Sequence, residues 1–222
     1  MIGLRGLAVK ALLCPMMLFS SVGFANDIII IGDSIFAASG QIRSQLQSIS
    51  PMEIRSYAVN GARMSGVISQ YERARGNGIS RTIIMNGGGN DVLQGNVGIC
   101  RDFADSCRAI VDGVVEKARE LFKSMKADGV ETVVYLGYYY TKGVFAGGLD
   151  DALDYSTEKT LEVCEDDDHI RCIVVDPRDA FNGRSGLISW DGIHPSSSGS
   201  RLLAELIWES MVANDIEQDY IE

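Results

Sequence analysis

Five short apolar runs punctuate the chain, at 27–32, 53–59, 81–85, 131–138 and 170–175, and each is followed by a turn-rich stretch. Runs this short and this apolar predict strands buried on both faces of a sheet. Between them, apolar residues recur at helical spacing over 41–48, 64–75, 103–127, 149–164 and 199–212. Strands and helices that alternate in this way predict an α/β fold, a five-stranded parallel sheet with helices on both faces. No internal repeat, low-complexity tract or linker breaks the pattern. Two stretches follow neither period. Residues 91–102 carry glycines and Cys100, and residues 138–148 carry three tyrosines, Phe145 and several glycines. Both are expected at the carboxyl edge of the sheet, where open α/β sheets hold ligands.

The first 25 residues stand apart from this pattern. Arg5 and Lys10 make a positive start, no acidic residue precedes Asp27, and 11–24 is apolar apart from a break at Cys14-Pro15. Gly23-Phe24-Ala25 places small residues at both positions read by signal peptidase. These features predict a secretory signal peptide over 1–25. A retained anchor needs about 20 apolar residues, more than are present, and the bulky Leu13 before Cys14 disfavours lipoprotein processing. Residues 26–222 then form a single domain of 197 residues, enough for a substantial core. The expected location is the periplasm or the extracellular medium, with no stable membrane anchor after cleavage. Losing Arg5 and Lys10 takes the formal net charge from −10 to −12. So acidic a surface disfavours nucleic acid and anionic membranes as partners.

Four cysteines remain after the leader: Cys100, Cys107, Cys164 and Cys172. They allow three pairings, and an oxidising compartment permits them. The local pairs Cys100–Cys107 and Cys164–Cys172 are expected, because each closes a short polar loop. A zinc site is disfavoured, since neither spacing is C-x₂-C and no histidine lies near the first pair.

The candidate chemistry starts at Gly32-Asp33-Ser34, directly after the isoleucine run. It places a serine hydroxyl at the end of a central strand. The chain has two histidines. His169 lies in an acidic stretch and reads as solvated. His194, in Asp191-Gly192-Ile193-His194-Pro195, has a carboxylate three residues before it that can take the Nδ1 proton and leave Nε2 as base. The same segment also reads as a turn before a helix capped by Ser196 or Ser197. An oxyanion needs preorganised donors. The Ser34 N–H, the Asn90 side chain after Gly87-Gly88-Gly89, and the Gly61 N–H are candidates. A phosphate-binding loop is excluded, because no Gly-Lys-Ser/Thr follows the glycines.

Together these segments resemble the SGNH hydrolases, the GDSL esterase/lipase family. Gly32-Asp33-Ser34 matches the first block, Gly61 within 57–62 the second, Gly88-Gly89-Asn90-Asp91 the third, and Asp191-Gly192-Ile193-His194 the fifth. The resemblance implies a flavodoxin-like three-layer α/β/α sandwich with no cofactor and no metal. It implies Ser34 as nucleophile, His194 as general base and acid, Asp191 as its orienting carboxylate, and an oxyanion hole of Ser34, Gly61 and Asn90. Ile35 stands where the family name has leucine. Gly66, in Ser65-Gly66, rivals Gly61 in the second block. Asp33 and Asp91 read as turn-stabilising.

The expected activity is hydrolysis of carboxylic esters through an acyl-enzyme, on a small-molecule, lipid or glycan ester. A polysaccharide O-acetylesterase or acyltransferase on the same site is the alternative, and a non-catalytic binding protein on this fold is the alternative of a different class. Tyr138, Tyr139, Tyr140 and Trp190 are candidate substrate-binding residues, able to stack on sugars, line an acyl pocket or simply pack.

Overall fold

The computed structural model describes residues 25–165 and 170–216. The expected signal peptide, apart from Ala25, and His169 lie outside the described residues.

Five strands form one sheet: β1 (Ala25–Ile31), β2 (Glu53–Ser56), β3 (Ser80–Met85), β4 (Thr132–Leu136) and β5 (Arg171–Val175). All neighbours pair in parallel, in the order β2-β1-β3-β4-β5. The chain moves outward from β1 to β2 and then returns past β1 to β3. The direction of winding therefore reverses between β1 and β3, and a crevice opens there at the carboxyl ends.

Nine α-helices are present among the described residues. They are α1 (Ser34–Ala37), α2 (Gln41–Ile49), α3 (Met64–Arg75), α4 (Gly89–Leu93), α5 (Val97–Arg101), α6 (Asp105–Ala127), α7 (Asp150–Glu165), α8 (Arg178–Phe181) and α9 (Ser197–Ala213). Alternation along β1 splits its isoleucines between two cores. Ile28 and Ile30 pack with Ile42 and Leu46 of α2 and Leu203 and Ile207 of α9. Ile29 and Ile31 pack with Val67 and Tyr71 of α3 and Leu121 and Phe122 of α6. An uninterrupted isoleucine run is therefore what a strand between two helical layers requires. The result is the expected three-layer sandwich.

The boundaries differ from the sequence expectation where local chemistry intervenes. β2 ends at Ser56 rather than 59, yet the Tyr57 N–H still donates to Ile30 O (2.8 Å) and the Val59 N–H to Gly32 O (3.1 Å). β4 ends at Leu136, and the Gly137 N–H turns to Val175 O. The stretch at 91–102 is not structureless. It contains most of α4 and all of α5, each too short for a helical period to register. Helix α9 starts two residues early, because Ser196 caps it by accepting the Gly199 N–H (3.1 Å). Both local disulfides form, Cys100–Cys107 and Cys164–Cys172, each with Cα atoms 4.9 Å apart.

The turn after β1 is built around Gly32. Its φ is +150°, and a Cβ would lie 1.9 Å from Asn86 Oδ1. Gly32→Ala is therefore expected to cost about 2–4 kcal/mol and to lower the melting temperature by roughly 5–15 °C. A thermal melt by circular dichroism checks this, and an unchanged midpoint would mean the turn can relax.

Candidate active site

Ser34 is the first residue of α1, so its N–H has no acceptor within the helix. The turn that presents it is held from two sides. Gln70 of α3 accepts the Gly32 N–H (2.7 Å) and donates to Gly32 O (2.9 Å). Asn86, directly after β3, accepts the Asp33 N–H (2.9 Å) and donates to Asp33 Oδ1 (2.8 Å). Asp33 also accepts the Ile35 N–H, capping α1, and the Tyr138 hydroxyl (2.7 Å). Burial raises the Asp33 carboxyl, against the lowering effect of those hydrogen bonds. Burial likewise pushes the Tyr138 phenol well up, and the Asp33 charge adds to it, so the phenol stays protonated as a donor. Asp33 is thus turn-stabilising, as expected. Asp91 acts on a neighbour instead, accepting the Met64 N–H at the start of α3 (2.8 Å).

His194 comes from a small hairpin. Ile188 bridges Pro195, the Ser189 N–H donates to His194 O (2.8 Å), and the Ser196 N–H donates to Leu187 O (2.9 Å). Gly192 in this hairpin has φ +77°, and a Cβ there would meet Lys142 O at 2.2 Å. The hairpin brings His194 Nε2 to 2.8 Å from Ser34 Oγ, while Nδ1 lies 2.7 Å from Asp191 Oδ2. Asp191 Oδ1 accepts the N–H groups of Ile193 (2.9 Å) and His194 (3.0 Å). Burial raises the Asp191 carboxyl, but the Ile193 N–H and then the His194 ring and N–H outweigh it and hold it below the usual carboxylate range. The three sequence-predicted residues are therefore joined in one hydrogen-bonded line. An Nδ1–H facing a charged carboxylate leaves Nε2 unprotonated and able to take the serine proton.

Asn90 is buried, and its Nδ2 donates one hydrogen to Ala62 O (3.1 Å). Gln94 Nε2 donates to Asn90 Oδ1 (3.1 Å) and to Gly61 O (2.7 Å). With Oδ1 occupied by Gln94, the Asn90 amide keeps its second hydrogen for the cavity that Ser34 and Asn90 both line. Gly61 has φ +72° in an exposed turn and does not line that cavity; it is tied to Asn90 through Gln94. The rival Gly66 has its N–H committed to Arg63 O (2.8 Å) in the first turn of α3.

The four aromatic candidates separate. Tyr138 lines the cavity beside Ser34, and its hydroxyl also accepts the Gly89 N–H (3.1 Å). Tyr139 touches the cavity but is buried. It stacks on Phe181 with centroids 4.2 Å apart and donates to Ile193 O (2.7 Å), so it braces the histidine hairpin. Tyr140 and Trp190 are not among the cavity-lining residues. Tyr140 donates to Asp154, and Trp190 is 99 % exposed in the hairpin turn. Gln70, Asn86 and Gln94 were not anticipated. Gln70 does leave a signal, since it falls among Val67, Tyr71 and Ala74 on the buried stripe of α3. Among the described residues, no three His, Cys, Asp or Glu side chains converge as metal ligands would.

The profile of the GDSL-like lipase/acylhydrolase family matches residues 28–207. No curated protein matches the chain. Among solved structures, the chain is similar to a protein from Slackia heliotrinireducens assigned to the SGNH hydrolases. They share 22% identity, with 84% of this chain and 99% of that one covered and a TM-score of 0.61. It is also similar to the lipase Lip_vut3 from a goat rumen metagenome, at 16% identity, 83% and 96% coverage and a TM-score of 0.67. A third is an acetylxylan esterase from Geobacillus stearothermophilus, at 18% identity, 86% and 95% coverage and a TM-score of 0.65.

Proposed function

The chain belongs to the GDSL-like lipase/acylhydrolase family, and we propose that it is an exported serine esterase that cleaves carboxylic esters through an acyl-enzyme. The observation that carries this reading is the line from Asp191 through His194 to Ser34, with contacts of 2.7 and 2.8 Å. Ser34 Oγ attacks the ester carbonyl while His194 Nε2 takes its proton. The tetrahedral oxyanion is met by the Ser34 N–H and the second hydrogen of Asn90, while Gly61, outside the cavity, anchors the Gln94 that holds Asn90. His194 then protonates the departing alcohol, and water, activated by the same nitrogen, releases the acid. Export is supported by the leader-like first 25 residues and by the two disulfides. Among the described residues, no helix is long and apolar enough to cross a membrane.

A fluorophosphonate probe tests the reading directly. Folded protein is expected to be labelled on Ser34 alone, and absence of labelling would favour a binding protein without catalysis. The oxyanion assignment has its own test. Asn90→Ala is expected to lower kcat by about 10²–10³. Gln94→Ala, which frees Asn90 Oδ1, is expected to lower it about tenfold. Because Gln94 acts through Asn90, the double variant falls no further than Asn90→Ala. Additive losses in steady-state kinetics would place Gln94 in a separate role.

A further inference from the structure

The cavity at Ser34 does not stop at the sheet edge. It continues inward between α6 and α7 and offers 130 Å³ to the centres of water-sized groups. One wall is α6, through Val111, Val114, Val115, Ala118 and Phe122. The facing wall is α7, through Leu153, Ser156, Thr157, Thr160 and Val163. Both sets follow helical spacing, so each helix turns one continuous stripe to the space. From Val111 to Phe122 the stripe runs about 16 Å.

Three serine and threonine positions on α7, Ser156, Thr157 and Thr160, would ordinarily make that wall partly polar. Here the hydrogen of each of these hydroxyls is already committed within α7. Ser156 Oγ and Thr157 Oγ1 donate to Leu153 O (2.9 and 3.0 Å), and Thr160 Oγ1 donates to Ser156 O (2.8 Å). On the sheet side, the Tyr135 hydroxyl donates to Gly87 O (2.8 Å). With their hydroxyl hydrogens turned to backbone carbonyls, these residues offer the space no free hydroxyl donor. The carboxylates and the amide among the lining side chains are gathered at the Ser34 and Asn90 end and at Asp150, on the first turn of α7. The cavity is therefore reactive at one end and apolar along its depth.

We infer that this space is an acyl-chain tunnel, and that the enzyme acts on esters of medium-chain fatty acids, with the carboxyl carbon at Ser34 and the chain lying between α6 and α7. The inference rests on the esterase reading and names its substrate class. About 10–15 Å³ of such space holds one water-sized group, so 130 Å³ takes roughly ten groups of water or methylene size. A sugar acid or a polar acyl group finds no free hydroxyl donor along these walls.

The test is a series of p-nitrophenyl esters from two to sixteen carbons, with full-length wild-type protein, Val115→Phe and Thr160→Phe. Each buried methylene contributes about fourfold to affinity. For wild type, kcat/KM is expected to rise with chain length up to about ten carbons and then level. Each bulky variant shortens the tunnel, so the ratio of decanoyl to butanoyl kcat/KM falls about tenfold or more. Either variant alone suffices if the other fails to fold, and circular dichroism melts report which do. Decanoate binding to Ser34→Ala, with and without Val115→Phe, is measured in parallel by calorimetry. If esters of all lengths are cleaved alike and neither variant alters decanoate binding or the ratio, the tunnel is refuted and the esterase stands. If no ester is cleaved but decanoate binds and Val115→Phe weakens it, the tunnel stands and the esterase reading fails.

Discussion

Ser34→Ala is expected to lower kcat on p-nitrophenyl esters by about 10⁵–10⁶, the scale on which removal of a triad nucleophile acts, while the fold survives. The loss is large because nothing nearby can substitute. Ser34 Oγ is the group that His194 Nε2 faces at 2.8 Å. Asp33, the adjacent candidate, is buried, and the Ile35 N–H, Asn86 and Tyr138 already occupy its oxygens. The fold survives because Ser34 is half-buried and its side chain supports no part of the turn; Gln70, Asn86 and Asp33 do that. Stopped-flow kinetics and a thermal melt on the same sample check both halves. A kcat within tenfold of wild type would move the nucleophile elsewhere.

The second large effect is expected at Asp191, and there the asparagine variant is more informative than alanine. Asp191 Oδ1 accepts two backbone N–H groups, from Ile193 and His194. An asparagine must keep its oxygen there, which turns its NH₂ toward His194 Nδ1. Nδ1 then accepts, the ring proton moves to Nε2, and Nε2 can no longer take the proton of Ser34. Asp191→Asn is expected to lower kcat by about 10⁴, the cost of the wrong tautomer. Asp191→Ala leaves the ring free to choose its tautomer and is expected to retain more activity than Asp191→Asn. The reverse order would show that charge, rather than tautomer, is what Asp191 supplies. Linkage also gives Asp191 a stability role with a definite sign. Its folded-state pKa is lowered, so its contribution is present above the ordinary carboxylate range and is lost as pH falls through the folded value.

The sheet, its faces and the serine–histidine–aspartate line were legible because each rests on local pattern. An isoleucine run needs two apolar layers, and a carboxylate three residues before a histidine shares one turn with it. The supports were not legible, because they join residues distant in sequence. Asn86 reaches Asp33 across 53 positions, and Tyr138 reaches it across 105. Each looked like an ordinary polar or aromatic residue at a strand end. Trp190 and Tyr140 were drawn toward the substrate by their residue type alone. Their placement depends on which way a turn faces, which composition does not encode. The depth of the cavity was hidden for the same reason: Ser156, Thr157 and Thr160 read as polar until their hydroxyls are found bonded to their own helix.

Ser34 and His194 lie 160 residues apart, and the histidine is followed by α9, which buries Leu203, Ile207 and Met211 against the sheet. During synthesis Ser34 emerges 160 residues before His194. A chain still emerging from the ribosome lacks the Ser34–His194 contact and, on the proposed mechanism, has no activated serine. On the proposed reading, activity reports the docking of the histidine hairpin against the turn after β1, a contact between segments 160 residues apart.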